Sequence, residues 1–207
     1  EEKKEAQHSK KQQLTSSQKS EISAAALANL TKIRVTDNFV FFYGGCFSQF
    51  YAAAFIVDNV QYFCAEQYMM AEKARLFKDE ETLKHILAER KEPANCKQLG
   101  RKVSNFDGKL WDAHKQDIVY NANLAKFTQN DDLKHELLKY EKRRFVEASP
   151  NDKVWGIGLA LNDEKCNDEK TWQGTNLLGI ALTKVRDHIL ASAQQPNDEN
   201  IDSKNTK

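Results

Sequence analysis

Hydrophobic residues form short strand-like runs in the first third of the chain and recur at helical spacing after these runs. The early runs lie at 39–44, 54–58 and 60–64, and Asp58-Asn59 separates the last two. Asp and Asn both tolerate turn geometry, so this pair predicts a tight hairpin. The apolar positions then follow the period of a helix, first over 65–77. The pattern predicts an α+β fold that is mostly helical, with a small β-sheet.

Further helices are predicted from residues that cap or begin helices. Asp and Asn side chains accept hydrogen bonds from the first amides of a helix, and proline suits its first position. The predicted helix starts are Asp79, Pro93, Asp107, Asn130 and Thr175. Apolar runs at 143–149 and 154–161 predict two more strands, one on each side of a turn. Together these elements predict one compact single domain.

The two ends of the chain are polar. Residues 1–20 hold one large apolar residue, Leu14, and such a segment cannot bury enough surface to offset the entropy lost on ordering. A short helix is predicted over 21–34. The expected boundaries are a disordered or weakly helical extension over 1–36, a folded domain over 37–193 and a disordered tail over 194–207.

Composition and motifs argue against several classes of function. The 207 residues carry a formal net charge of +1, so no bulk field attracts nucleic acid and any such contact has to be local. No apolar run approaches the ~18 residues of a membrane span, and the sequence shows no secretory signal. The chain also contains no P-loop, no GxGxxG after a strand, no GxSxG and no HExxH.

The four cysteines are scattered along the chain. Cys46, Cys64, Cys96 and Cys166 form no CxxC pair and have no histidine at zinc-finger spacing. We therefore expect free thiols in a reducing compartment, which favours a cytoplasmic or nuclear protein. No metal site is predicted.

Glu66 and Lys73 share one face of the predicted helix at 65–77. They lie two turns apart, and large apolar residues flank that face on both sides. One interpretation is structural: a buried or half-buried ion pair, or two residues whose charged heads reach solvent. The other is functional: a carboxylate and an amine at the floor of a cleft. In a cleft, burial raises the pKa of the carboxyl group and lowers that of the amine, which suits acid–base or nucleophilic chemistry.

Two predicted turns nearer the end of the chain contain an unusual set of residues. The stretch EASPNDKVWGIG at 147–158 combines Asp152, Trp155 and two glycines. Asp152 either caps a local turn or faces a ligand, and Trp155 is either core or a stacking surface. The stretch TWQGTNLLG at 171–179 opens the last predicted helix. Its first amides suit an anion as well as a plain cap.

Taken in order, seven runs of the sequence resemble the NADAR family, also called YbiA-like. The matching runs are FFYGGCFSQF, YFCAEQYMMAEKARLF, KQLGRKV, FDGKLWD, AKFTQNDDLKHELL, FVEASPNDKVWGIGL and TWQGTNLLGIALTKVR. They span about Phe39 to Leu190 in the family's order. The resemblance implies a compact α+β domain that cleaves N-glycosidic bonds without a cofactor. Its substrate classes are phosphoribosylamino-pyrimidine intermediates of riboflavin synthesis and ADP-ribose attached to guanine in nucleic acid.

The resemblance also implies roles for single residues. A carboxylate at Glu66 or Asp152 would stabilise positive charge on the ribose or activate water. Lys73 would give a proton to the leaving base or attack C1 as a Schiff-base nucleophile, and the sequence does not choose between these roles. The residues expected to bind substrate are Tyr43, Gly45, Ser48, Gln49, Lys97, Arg101, Trp111, Trp155, Gly156 and Asn176.

Within that set, the aromatic rings would stack on a base. Asn176 and the amides near Gly174 would hold one phosphate, and Lys97 with Arg101 would contact a second. The leading expectation is a monomer that removes ADP-ribose from guanine in DNA or RNA. The alternatives are the same chemistry on a riboflavin intermediate, or a nucleotide-binding module without turnover.

Overall fold

The computed structural model describes residues 32–194 of the chain. The strands in this part are β1 Lys32–Val35, β2 Phe39–Tyr43, β3 Ala52–Val57, β4 Val60–Cys64 and β5 Arg144–Glu147. The α-helices are α1 Ala65–Leu76, α2 Glu80–Ala88, α3 Pro93–Gly100, α4 Gly108–Thr128, α5 Asp131–Leu138 and α6 Leu177–Gln194. Small sheets among many helices confirm the predicted α+β class.

The larger sheet has the strand order β1-β2-β5, and β3 pairs with β4 in a separate hairpin. β5 runs parallel to β2, with Phe42 opposite Glu147, whereas β1 is antiparallel to β2. Because parallel strands end at the same edge of a sheet, Tyr43 and Glu147 share one edge. β1 begins at that edge, where Lys32 lies opposite Tyr43. The segments that follow β2 and β5 therefore leave the sheet side by side.

Helices cover the larger sheet and the hairpin. β2 is buried along 39–42, as expected for a continuous apolar strand with both faces covered. α6 packs against β5 and α4, and α1 packs against α2, α3 and α4. Their apolar side chains form one main core, and a smaller cluster surrounds Phe41 and Leu159. Within 32–194, no helix is long and apolar enough to cross a membrane.

Local chemistry predicted several turns and helix starts correctly. Asp58 and Asn59 have φ angles of 49° and 63° between β3 and β4, the left-handed values that a tight hairpin needs. The Asp79 carboxylate accepts a hydrogen bond from the Thr82 amide at 2.9 Å and so caps α2. Asp107 caps α4 in the same way.

Two predicted elements are wrong. The helix predicted over 21–34 overlaps the described residues only at 32–34, which belong to β1. The rest of that helix and the predicted tail from 195 lie outside the described residues. The strand predicted over 154–161 is a series of turns instead. The carbonyl groups of 153–157 accept hydrogen bonds from amides of 173–178, so this segment pairs with a loop and the start of α6 rather than with a strand.

Candidate active site

Glu66 lies in the first turn of α1 and is 2% exposed. Burial is the main cause that raises the pKa of its carboxyl group to about 7. The charges of Lys97 and Arg101 oppose that rise, whereas Asp152 adds to it. These three residues come from α3, from the residue after it and from the turn that follows β5. The fold therefore brings together four charged residues that the sequence placed in three separate motifs.

Glu147, at the end of β5, is a second acid of the site and is absent from the predicted set; the residue is half-buried, but its Oε2 atom is fully buried. Burial is the main cause that raises the pKa of its carboxyl group to about 7. Asp152 and Glu66 raise it further, and Lys97 lowers it. Glu147 ends a buried parallel strand, a position where functional groups often lie. The sequence predicted the strand but not its parallel pairing with β2, so this signal becomes visible only in the fold.

Asp152 has the capping role considered for it and also acts on the two glutamates. Its carboxylate accepts hydrogen bonds from the amides of Val154 and Trp155, at 2.9 and 2.7 Å, so it closes the local turn. It also acts electrostatically on Glu66 and Glu147. The half-buried Trp155 packs against the main core. Asp152 therefore shapes the turn and adds negative charge to the site.

Gly156 lets two parts of this turn approach closely. A Cβ atom there would lie 2.8 Å from the Glu147 carbonyl oxygen and 3.1 Å from that of Asp152. Any larger residue would push the turn away from the end of β5. Gly156 consequently positions the acids, and its role comes from backbone packing.

The loop after β2 supports Glu66 from the other side. Gly44 and Gly45 have φ angles of 75° and 63°, values that favour glycine. The Gln49 carbonyl oxygen accepts a hydrogen bond from the Glu66 amide at 2.9 Å. The loop that contains the predicted residues Gly45, Ser48 and Gln49 therefore leads directly to the buried acid.

Two buried polar residues of α4, absent from the predicted set, hold this loop. Lys126 has no exposed surface and donates hydrogen bonds to the carbonyl oxygens of Cys46 and Ser48, at 2.7 and 2.9 Å. Burial lowers the pKa of its amine to about 8. Asn123, also fully buried, donates to the Gln49 side chain at 2.9 Å. Polar residues on the inner face of a helix were the available signal in the sequence.

Lys73 lies further along α1 and has partners other than Glu66. Its ammonium group donates to the Gly100 carbonyl oxygen at 2.8 Å. It also lies 4.3 Å from the ring centre of Phe106 and 5.6 Å from that of Trp111. Burial lowers the pKa of this amine. Seven residues of helix rise about 10 Å. Glu66 and Lys73 therefore lie on one face of α1 without forming the close pair that was predicted.

Exposed aromatic rings lie beside Lys97, beside Lys73 and at the edge of the sheet where Glu147 ends β5. Lys97 lies 5.5 Å from the ring centre of Phe50, which is 39% exposed. Tyr43, at the shared sheet edge, is 45% exposed. Phe106, beside Lys73, is 50% exposed. Flat apolar surfaces next to positive charge suit a ligand that combines a base with phosphate.

Asn176 and the start of α6 are used within the protein. The Asn176 side chain accepts from the Glu147 amide at 2.9 Å and donates to the Phe145 carbonyl oxygen at 3.0 Å. The amides of 175–178 donate to carbonyl groups of 153–156, and the Thr175 hydroxyl group donates to the Val154 carbonyl oxygen. α6 begins at Leu177 rather than at the predicted Thr175. This geometry favours a role in holding β5 over the predicted phosphate contact.

Buried polar atoms without partners concentrate at this site. In the described part of the chain, five buried side-chain nitrogen or oxygen atoms have no hydrogen-bond partner. Four of them are Gln49 Nε2, Glu66 Oε1, Asn123 Oδ1 and Glu147 Oε2. Native interiors leave few such atoms, and each one calls for an explanation. A polar ligand that forms hydrogen bonds with several of these atoms would explain why they have no partner within the protein.

Metal ligation finds no support in the part of the chain that the structure describes. Within residues 32–194, no group of three or more His, Cys, Asp or Glu side chains could hold a metal ion. The cations that act on Glu66 are Lys97 and Arg101. The site therefore offers carboxyl groups, cations and amides as its chemical equipment.

Two carboxyl groups whose pKa values are raised to about 7 define a class of site suited to cleaving a glycosidic bond. The family comparison specifies this class further. The chain belongs to the NADAR domain family, whose model matches residues 41–190.

Two relatives and a solved structure resemble the chain over most of its length. It is 43% identical over 165 residues to an N-glycosidase of Acanthamoeba polyphaga mimivirus, covering 73% of this chain and 96% of that protein. It is 39% identical over 181 residues to the Caenorhabditis elegans protein irg-1, covering 77% and 85% of the two chains. The NMR structure of Escherichia coli YbiA matches with a TM-score of 0.64 and 27% identity, covering 80% of this chain and 94% of that one.

Proposed function

We propose that this protein is an N-glycosidase that hydrolyses the bond between C1 of a ribose and a nitrogen of a base. The observation that carries the proposal is the pair of acids Glu66 and Glu147, each with a buried carboxyl oxygen that has no partner and a pKa raised to about 7. Membership of the NADAR family supports the same chemistry, as do relatives that are named N-glycosidases.

The two acids would divide the work of the reaction between them. The charge of Glu66 raises the pKa of Glu147, and both pKa values lie near 7, so we expect one acid to be protonated and the other ionised at neutral pH. The protonated acid gives its proton to the base nitrogen as the C1–N bond breaks, and the bonding electrons leave with the base. The ionised acid stabilises the positive charge on the ribose and takes a proton from the water that adds to C1. One acid loses a proton and the other gains one, so the number of protons on the pair is the same after the reaction as before it.

The proposed substrate is ADP-ribose attached to guanine in nucleic acid. Lys97 and Arg101 are close enough to Glu66 to lower its pKa. Two cations beside the acid that faces C1 suit the diphosphate of the same ligand. Exposed rings such as Phe50 and Tyr43 would stack on the bases at either end. A phosphoribosylamino-pyrimidine intermediate is the alternative substrate, with one phosphate and one base.

Lys73 supports a second route for the same hydrolysis. Burial lowers the pKa of its amine, which increases the neutral fraction that can attack C1 and form a Schiff base. Borohydride reduction in the presence of substrate distinguishes the two routes. A reduced sugar adduct in the wild type that is missing in Lys73→Met supports the lysine route. Turnover without any adduct supports direct hydrolysis by the acid pair.

The proposal is tested by incubating the protein with an ADP-ribosylated guanosine oligonucleotide and measuring free ADP-ribose. Glu66→Gln and Glu147→Gln should each lower the rate by at least about 100-fold, because each removes one proton-transfer group. Glu136→Gln is the matched control. Glu136 of α5 is a buried glutamate, 5% exposed, but it pairs with Lys139, the residue after that helix. Its variant should keep the wild-type rate.

Other outcomes decide between the alternatives. Release of base from the pyrimidine intermediate alone would support the proposed N-glycosidase reaction and contradict the proposed ADP-ribosylated substrate. Tight binding of ADP-ribose without turnover of either substrate would identify a binding module. Wild-type rates in both acid variants would contradict the proposed roles of Glu66 and Glu147.

A further inference from the structure

The side chains of Gln49 and Asn123 form a buried amide pair beside Glu66. Gln49 is 6% exposed and Asn123 has no exposed surface. They come from the loop after β2 and from α4, and a 2.9 Å hydrogen bond from Asn123 Nδ2 to Gln49 Oε1 joins them. The Gln49 backbone carbonyl accepts from the Glu66 amide. The amide pair is therefore attached directly to the first turn of α1.

The backbone of α4 fixes which way both amides point. Asn123 Nδ2 also lies 2.8 Å from the Val119 carbonyl oxygen, which can only accept a hydrogen bond. The atom of Asn123 that faces Val119 is therefore the nitrogen. Because the same nitrogen donates to Gln49, the facing atom of Gln49 has to be its oxygen. The Gln49 nitrogen, Nε2, is consequently left as an oriented donor.

This donor has no partner within the described residues, and neither does Glu66 Oε1. The two atoms belong to residues whose backbones are hydrogen-bonded to each other. One acts as a donor and the other, when Glu66 is ionised, as an acceptor. A hydroxyl group meets both requirements at once, since it accepts from an amide and donates to a carboxylate.

We infer that Gln49, oriented by Asn123, binds the 2-hydroxyl group of the ribose and makes the site specific for ribose over 2-deoxyribose. This inference rests on the proposed function, which places Glu66 at C1. The hydroxyl group nearest C1 is the one on C2, so it is the one that Gln49 and Glu66 can share. Asn123 acts through Gln49 and is a positioning residue.

The surroundings hold Gln49 in this arrangement. Lys126 binds the carbonyl groups of Cys46 and Ser48, just before Gln49 in the loop. A site that is built to hydrogen-bond a hydroxyl group strongly rejects an analogue without it, because its buried polar atoms are then left unpaired. The preference should therefore appear in binding as well as in turnover.

The experiment measures binding by calorimetry for two pairs of ligands. One pair is ADP-ribose and its analogue without the 2-hydroxyl group of the terminal ribose. The other is ribose 5-phosphate and 2-deoxyribose 5-phosphate, which represent the sugar common to both proposed substrate classes. The wild type should bind the ribose member of each pair at least about 10-fold more tightly.

Two variants test the residues. Gln49→Met keeps the length of the side chain and removes the donor, so the preference for ribose should fall towards 1-fold. Asn123→Asp replaces the donor that faces Gln49 by an acceptor. The Gln49 amide should then turn over and present its oxygen to the sugar, with the same loss of preference. Asn121→Asp makes the same chemical change on the exposed face of α4 and should keep the preference.

The ratio of the two affinities separates recognition from a purely structural role. If Gln49→Met weakens both members of a pair equally, or if the wild type binds both alike, the inference is wrong. Thermal unfolding of each variant shows whether it folds, and Gln49→Met decides the matter if Asn123→Asp does not. A ribose preference with the 5-phosphates but no binding of ADP-ribose would support the inference and overturn the proposed substrate. No binding of any of the four ligands would overturn both.

Discussion

At the scale of single residues, the two acids of the site are arranged for function rather than for stability. Glu66 Oε1 and Glu147 Oε2 are buried without hydrogen-bond partners, although a buried ionised carboxylate is costly unless it is paired. Lys97 lowers the pKa of both groups but does not offset their burial. Residues kept in such an arrangement usually serve chemistry rather than stability.

Glu147→Gln should make the protein more stable at pH 8 and leave its stability nearly unchanged at pH 4. The pKa of Glu147 is raised from 4.5 to about 7 on folding. The folded state therefore holds a proton that the unfolded state has lost, and the free energy of unfolding falls as pH rises from 4.5 to about 7. The amide avoids this cost, which we expect to be about 1–3 kcal/mol at pH 8. Thermal unfolding of both proteins at both pH values measures it. A variant that is less stable than the wild type at pH 8 would contradict the assigned cause.

At the scale of elements, the site depends on how closely α6 approaches β5. A Cβ atom on Gly179 of α6 would lie 2.1 Å from the Phe145 carbonyl oxygen and 2.5 Å from the Asn176 side-chain amide. The same Asn176 amide accepts from the Glu147 backbone. Only glycine permits this contact, so the helix, the strand and the second acid are positioned together.

Gly179→Ala should therefore destabilise the protein by about 1–3 kcal/mol, the usual cost of overpacking. It should also lower activity, because β5 and Glu147 have to shift. Gly108→Ala is the matched control, since a Cβ atom there meets nothing closer than Phe106 at 4.0 Å. In the first position of α4, alanine should stabilise by about 0.5–1 kcal/mol. Denaturant unfolding of both variants, with activity assays under native conditions, makes the comparison; equal stabilities would contradict the close approach.

At the scale of the whole molecule, the features that local chemistry controls were predictable and those that depend on distant pairing were not. Asp79 and Asp107 cap their helices as the sequence predicted. β1 was missed because its four residues become a strand only by pairing with β2. Glu147 was missed because its position follows from the parallel pairing of β5 with β2, across about a hundred residues. The amide pair of Gln49 and Asn123 likewise joins residues that are distant in sequence.

The position of β1 leads to a prediction about where the folded domain begins. A chain that starts at residue 32 should be more stable than one that starts at 37, the boundary expected from the sequence. The shorter chain loses the pairing of β1 with β2. It also loses Arg34, which donates to the Leu161 carbonyl oxygen at 3.0 Å and lies 4.2 Å from the ring centre of Phe41.

We expect that loss to exceed about 2 kcal/mol, since several hydrogen bonds and the cover of a buried aromatic cluster are removed together. Denaturant unfolding of the two chains measures the difference, with Arg34→Ala in the longer chain separating the side chain from the strand. Activity should fall as well, because β2 leads into the loop that holds Gln49 and Glu66. Equal stability of the two chains would show that β1 is not part of the folded unit.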